Sequence, residues 1–170
     1  MDTLDNINDE LQPRPKFLTV LCILTFISTG ISLLSGLYNL VFVGKQSEET
    51  MLNAQVAMTN SINEMNDLGM TGFADMMEKI NRMSIEINDN FYLASVVTLL
   101  SVGLGLYGAF KMWNGFKMGF HLYIVYNLVT IGAIYLYVSP GNIPSFVVIF
   151  NLVLSAIFVF MYSRNLKWMK

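Results

Sequence analysis

Few residues in this sequence carry groups able to do chemistry, and their spacing limits what they can do. Seven of the twelve methionines fall between Gln46 and Asn90. Met51, Met58 and Met65 recur at i, i+7 and i+14, and Met76, Met77 and Met83 cluster further on. Thioethers are soft ligands that suit Cu(I). Such sites also draw on close Met pairs or a His or Cys partner, and this stretch contains neither His nor Cys. At helical spacing the same side chains serve as flexible filler for a helix–helix seam, and that is the reading favoured here. His121 is the only histidine, so paired haem ligands and a zinc site are both out of reach. Its position, just inside an apolar run, points to an interfacial role. Cys22 is the only cysteine, so the chain has no intrachain disulfide and no CxxC redox pair. No metal and no cofactor is expected.

Three amides, Asn39, Asn127 and Asn151, are the strongest polar groups within the apolar runs. An amide buried in lipid has to find a partner. The expected solution is hydrogen bonding between helices, such as Asn127 to Asn151; a polar transport pathway is the alternative. Several membrane activities lack the residues they need. Small four-span drug exporters use a carboxylate within a span, quinone-linked thiol oxidases use cysteine pairs, and intramembrane serine proteases use a deep histidine facing a serine. Claudin-like proteins carry paired cysteines in their large outer loop. No phosphate-cradling glycine loop and no paired catalytic acids occur, and no basic patch interleaved with aromatics points to nucleic acid. The expectation is a protein without enzymatic activity.

The elements that position these residues follow from composition. The chain has 170 residues, of which 54% are hydrophobic and 13% charged, where soluble domains carry about 25% charged residues. Residues 17–43 and 91–110 are apolar runs free of Asp, Glu, Lys and Arg. Residues 118–163 form a third such run, broken by Ser139-Pro140-Gly141-Asn142-Ile143-Pro144. About 20 apolar residues suffice to cross a bilayer, and two prolines with a glycine make a turn. The expected fold is an all-α membrane protein, a bundle of four transmembrane helices at 17–43, 91–110, 118–138 and 145–163. Tails occupy 1–16 and 164–170, and turns occupy 111–117 and 139–144. The first run is too long for a signal-peptide core and follows an acidic leader. Small residues mark the helix-packing faces: Ser101, Gly105 and Ala109 at i, i+4 and i+8, and Gly115 with Gly119 as a literal GxxxG.

Residues 44–90 stand apart as the one long stretch built for water. Gln55, Met58, Ile62 and Met65, then Phe73, Met76, Ile80, Met83 and Ile87, repeat at intervals of three and four. That is the period of two amphipathic helices. Leu68-Gly69-Met70-Thr71-Gly72 separates them, with Thr71 the expected N-cap of the second. The expectation is an antiparallel hairpin outside the membrane, its seam formed by those apolar residues. Between Gln46 and Asn90 there are eight acids against Lys79 and Arg82, so its exposed face is acidic. Glu64, Asp75 and Glu78 are the candidate partner-facing residues.

Cationic residues next to spans mark the cytoplasmic side. With four alternating spans, Arg14, Lys16, Lys111, Lys117, Arg164, Lys167 and Lys170 share one side. Both termini are therefore expected in the cytoplasm and residues 44–90 outside. None of the seven asparagines from 46 to 90 begins a glycosylation sequon, which leans toward a bacterial membrane. The opening Arg14-Pro15-Lys16-Phe17-Leu18-Thr19-Val20-Leu21-Cys22-Ile23-Leu24-Thr25-Phe26-Ile27 resembles the start of uncharacterised small four-span proteins of bacterial inner membranes. The resemblance covers the tail and first span, implies location and topology, and carries no activity. Two function classes remain. One is an accessory or assembly subunit of a membrane complex, or a homo-oligomeric scaffold, whose hairpin docks a partner. The other is a small oligomeric pore or transporter lined by Ser, Thr and Asn faces. The expected partners are membrane lipid and another membrane protein or a second copy of the chain.

Overall fold

The computed structural model describes residues 13–170; most of the expected N-terminal tail, residues 1–12, lies outside them. Among the described residues the regular elements are six α-helices with short π and 3-10 turns, and there are no strands. Helix α1 spans Lys16–Tyr38, and a π-helical turn, Asn39–Val43, extends it. The Gly44 N–H donates to the Asn39 carbonyl at 2.8 Å. With φ +68° and ψ −167°, Gly44 adopts a conformation open in practice only to glycine, and the helix stops there.

Helices α2, Glu48–Asp67, and α3, Thr71–Asp89, come next. Ser47 caps α2 by accepting from the Thr50 N–H, and Glu48 and Glu49 complement the positive end of the helix. A Schellman turn closes α2. The Met70 N–H reaches the Met65 carbonyl at 2.8 Å, the Gly69 N–H reaches Asn66 at 2.9 Å, and Gly69 has φ +76°. Met70 flanks α3 and Thr71 is its first residue, with no side-chain cap, so the expected Thr71 cap does not form.

Helix α4 spans Phe91–Trp113, α5 Lys117–Ala133 and α6 Ser145–Ser163. Four helical segments are long and apolar enough to cross a membrane: Lys16–Val43, Phe91–Trp113, Lys117–Leu136 and Ser145–Ser163. The shortest has 19 residues, about 28 Å of helix, which matches the hydrocarbon thickness.

The central helix is α4, packed on α1 and α5. Its contact with α5 is backbone to backbone: a Cβ added at Gly119 would lie 2.5 Å from the Gly108 carbonyl oxygen and 2.5 Å from the Met112 nitrogen. The core gathers at the end where α1 and α5 begin and α4 and α6 finish. Leu18, Leu21, Cys22, Met112, Phe120, Tyr123, Tyr162 and Met169 form it. Residues 164–170, expected as a tail, fold onto this end. The Lys170 N–H donates to the Gly115 carbonyl at 2.6 Å and the Lys117 N–H to the Lys170 carbonyl at 2.9 Å, while Met169 is buried.

Candidate interaction surface

The α2/α3 pair carries the candidate partner-facing residues, and burial shows how its sequence is used. Met51, Gln55, Met58, Ile62 and Met65 form a half-buried stripe on α2. On α3, Ala74 is buried and Met76, Met77, Ile80, Met83 and Ile87 are half-buried. The clustered methionines Met51, Met58, Met65, Met76, Met77 and Met83 therefore lie along the stripes where α2 and α3 pack. Phe73 departs from the expected seam. It is 57% exposed, and its neighbour Ala74 takes the buried position, because a small side chain fits where the two helices converge on a three-residue turn. Leu68 and Met70 are exposed beside it. The turn thus presents three large apolar side chains to the surroundings.

Acids flank this patch. Glu64, Asp67 and Asp75 are exposed within two turns of Gly69. Glu78 is exposed too, but its carboxylate accepts from Arg82 at 2.5 Å, an i,i+4 pair. Of the three candidate acids, Glu64 and Asp75 therefore keep their charge unpaired, and Glu78 shares its own.

The other end of the pair is tied down by polar groups that sequence reasoning missed. The Gln46 N–H donates to Asn88 Oδ1 at 2.9 Å, and Lys45 faces Asp89 at 3.8 Å. The Glu86 carboxylate accepts from the Ser139 N–H at 2.6 Å and from Asn142 Nδ2 at 2.8 Å. Asn90 Nδ2 donates to the Tyr137 carbonyl at 3.1 Å. The last turn of α3 is thereby fastened to the turn between α5 and α6. The Ser139 N–H is the main influence that holds the Glu86 carboxyl below its ordinary pKa, with Asn142 assisting. The signal lay in topology: with four spans, the end of α3 and residues 139–144 must lie on the same side. A shallow cleft of about 250 Å³ opens beside Lys45, Gln46, Met51 and Asn88.

Within the apolar helices the three amides do not meet. Asn127 Nδ2 donates to the Tyr123 carbonyl at 2.7 Å and Asn151 Nδ2 to Val147 at 2.8 Å, each within its own helix. Asn39 is exposed in the π-helical turn. The expected Asn127–Asn151 bond is absent because α6 touches its neighbours mainly near its C-terminal end, where Tyr162 is its one buried residue. There the Thr25 and Tyr162 hydroxyls share a hydrogen bond of 2.8 Å, and the Tyr123 and Tyr162 rings lie 4.8 Å apart. Cys22 is buried beside them.

Ser101, Gly105, Ala109, Gly115 and Gly119 are all buried. Gly105 lies under the Tyr126 ring, which would sit 2.9 Å from an added Cβ. The GxxxG, however, is not one helical face. Gly115 stands before α5 with φ +82° in a second Schellman turn, covered by Trp168, and only Gly119 lies within the helix. His121 is exposed near the start of α5, its Nδ1 3.1 Å from the Lys117 carbonyl oxygen. Among the described residues no group of three or more His, Cys, Asp or Glu is placed to hold a metal ion. No family model matches this chain, and no curated protein and no solved structure matches it.

Proposed function

We propose that this chain is an integral membrane interaction protein without enzymatic activity. Its four apolar helices cross a bacterial inner membrane as a bundle, with the termini in the cytoplasm. Helices α2 and α3 stand outside as an antiparallel hairpin, and the hairpin tip docks a partner. That partner is another membrane protein or a second copy of the chain, which makes this protein an accessory or assembly subunit or a homo-oligomeric scaffold. One observation carries the reading. In the longest stretch with a water-facing composition, Leu68, Met70 and Phe73 are exposed by 76%, 45% and 57%, with Glu64, Asp67 and Asp75 around them. An apolar centre with a charged rim is the anatomy of a protein–protein contact. The complementary surface is an apolar pocket with a basic rim.

The polar groups inside the spans support packing over conduction. Ser101 donates to Val97, Thr29 to Thr25, Asn127 to Tyr123 and Asn151 to Val147, each to the carbonyl four residues earlier. These donors are used within their own helices, which leaves the oligomeric pore as the weaker reading.

The test is purification in mild detergent followed by mass spectrometry and light scattering. Leu68→Ser with Phe73→Ser should remove at least about 90% of the bound partner or of the oligomer, as loss of a central anchor does. Glu64→Gln with Asp75→Gln should weaken binding less and flatten its salt dependence. A double tip variant that stays folded and keeps the same partners and mass would overturn the proposal.

A further inference from the structure

The cations of this protein divide into two populations. At the α2/α3 end, Lys45 faces Asp89, Arg82 pairs with Glu78, and the exposed Lys79 shares α3 with Asp75, Glu78, Glu86 and Asp89. At the opposite end of the bundle, Arg14, Lys111, Lys117, Arg164, Lys167 and Lys170 gather with Lys16, and among the described residues no carboxylate side chain lies there. The acids of the described chain all fall between Glu48 and Asp89, beyond the far end of α4, whose 23 residues span about 34 Å. Even against Asp2, Asp5, Asp9 and Glu10 of the leader, the seven cations leave an excess of three positive charges.

These cations are held in place, and holding them together is electrostatically costly. The paired bonds between residues 115–117 and Lys170 fix Lys117 and Lys170 on adjacent backbones. Buried Asn165 and Met169 set the segment that carries Lys167. The Arg14 guanidinium sits over the Trp113 ring, its central carbon 3.7 Å from the ring centroid, and its Nε is shielded with no acceptor among the described residues. The Lys111 ammonium lies 5.3 Å from the Tyr107 ring and 5.2 Å from the Phe116 ring, and no carboxylate among the described residues pairs with it. Trp168 is packed on Gly115 at the same level. Clustered cations at the mouth of a helical bundle, with indoles at headgroup depth, form the kind of basic site that takes an anionic lipid headgroup.

We infer that this basic end binds anionic glycerophospholipid of the adjacent leaflet. The phosphate and net negative headgroup lie among Lys117, Lys167, Lys170 and Arg164, and the acyl chains run along the exposed apolar faces of α5 and α6. The bound lipid neutralises the cluster and so fastens residues 164–170 to the α4–α5 turn. This site rests on the membrane-embedded reading of the four apolar helices and is independent of the hairpin tip.

The experiment uses the full chain in nanodiscs of pure phosphatidylcholine and of phosphatidylcholine with 30% phosphatidylglycerol, about one lipid in three, an anionic content at which surface charge is substantial. Thermal unfolding and native mass spectrometry of retained lipid are read together. The expected result is a higher melting temperature in the anionic discs and retained phosphatidylglycerol. Arg164→Gln, Lys167→Gln and Lys170→Gln combined should abolish the temperature gain and cut retained lipid by at least about tenfold. Lys45→Gln, Lys79→Gln and Arg82→Gln combined should keep both. Inorganic phosphate or glycerophosphate added to phosphatidylcholine discs should not reproduce the gain; if it does, the site binds phosphate and not lipid, and the inference fails. Equal stability in both disc types, or an undiminished gain in the basic-end triple variant, also overturns it. Failure of the chain to enter discs at all would instead overturn the membrane-embedded reading.

Discussion

Two helical glycines with identical propensity costs, Gly103 on α4 and Gly119 on α5, have opposite structural roles. Gly103 has nothing within 4 Å of an added Cβ, whereas Gly119 on α5 faces the α4 backbone at 2.5 Å. Glycine inside a helix costs roughly 0.5–1 kcal/mol relative to alanine. Gly103→Ala should therefore raise stability by about that amount. Gly119→Ala forces two backbones apart and should lower it by about 3 kcal/mol. Thermal or denaturant unfolding in detergent reads both, and equal effects would show that α4 and α5 do not cross there. Gly105 belongs with Gly119: Gly105→Leu would drive a side chain into the Tyr126 ring, while Leu104→Ala removes only half-buried area. A second residue-scale prediction concerns Glu86. Hydrogen bonds from Ser139 and Asn142 depress its pKa, so its stabilising contribution is present above the ordinary Glu value of about 4.3. It is lost as the pH falls through the lower folded value. The Ser139 amide resonance should therefore titrate in acid, below the ordinary Glu range, and should stop titrating in Glu86→Gln. A Ser139 resonance unchanged down to the folded pKa of Glu86 would mean that the carboxylate does not hold that turn.

The helices differ in what holds them. The four apolar segments satisfy their own backbone groups and need lipid or protein only at the side chains. Helices α2 and α3, at 20 and 19 residues, are marginal alone in water and depend on their shared seam. Ile62→Asn or Ile80→Asn places an amide in that half-buried stripe and should cost about 1–3 kcal/mol, seen as faster proteolysis between residues 46 and 90. Glu64→Gln should leave the proteolytic pattern unchanged. If Ile80→Asn also leaves it unchanged, α2 and α3 do not support one another. This contrast between elements explains what was legible in the sequence. The four apolar segments were readable because their length and the absence of charge are local properties. The stripe from Gln55 to Met65 was readable from helical spacing. The swap of Phe73 for Ala74 was not, because spacing ranks hydrophobicity and says nothing of how much room a tight turn leaves. Gly115 and Gly119 looked like one face because a pattern search cannot see that Gly115 ends a helix with φ +82°. The bonds of Glu86, Asn88 and Asn90, and the docking of Lys170 on Gly115, join residues far apart in sequence. Nothing local in their types announces them.

At the scale of the whole molecule, charge is distributed along the bundle axis. Seven of the ten Lys and Arg residues stand at the end where α1 and α5 begin. The eight acids from Glu48 to Asp89 stand at the other. Cationic residues resist translocation and acids contribute little to orientation, so the basic end is expected in the cytoplasm. If all four apolar helices cross, α2 and α3 are expected on the opposite side. The two polar ends are built differently. At the acidic end the α2/α3 pair is fastened through the last turn of α3 to residues 137–142. At the basic end the C-terminal segment closes over the core. A reporter placed in either region therefore reports on a structured face and not on a loose tail. A reporter that is active only in the cytoplasm should be active when fused after Lys170 and silent when inserted at Gly69. One active only outside should give the reverse. Removing the seven cations in steps should erode this asymmetry gradually, since each contributes separately to the bias. If both positions report the same compartment, an odd number of segments crosses the membrane and one of the four apolar helices lies on its surface. Helix α6 would be the first to re-examine, because it is the least covered by the rest of the protein.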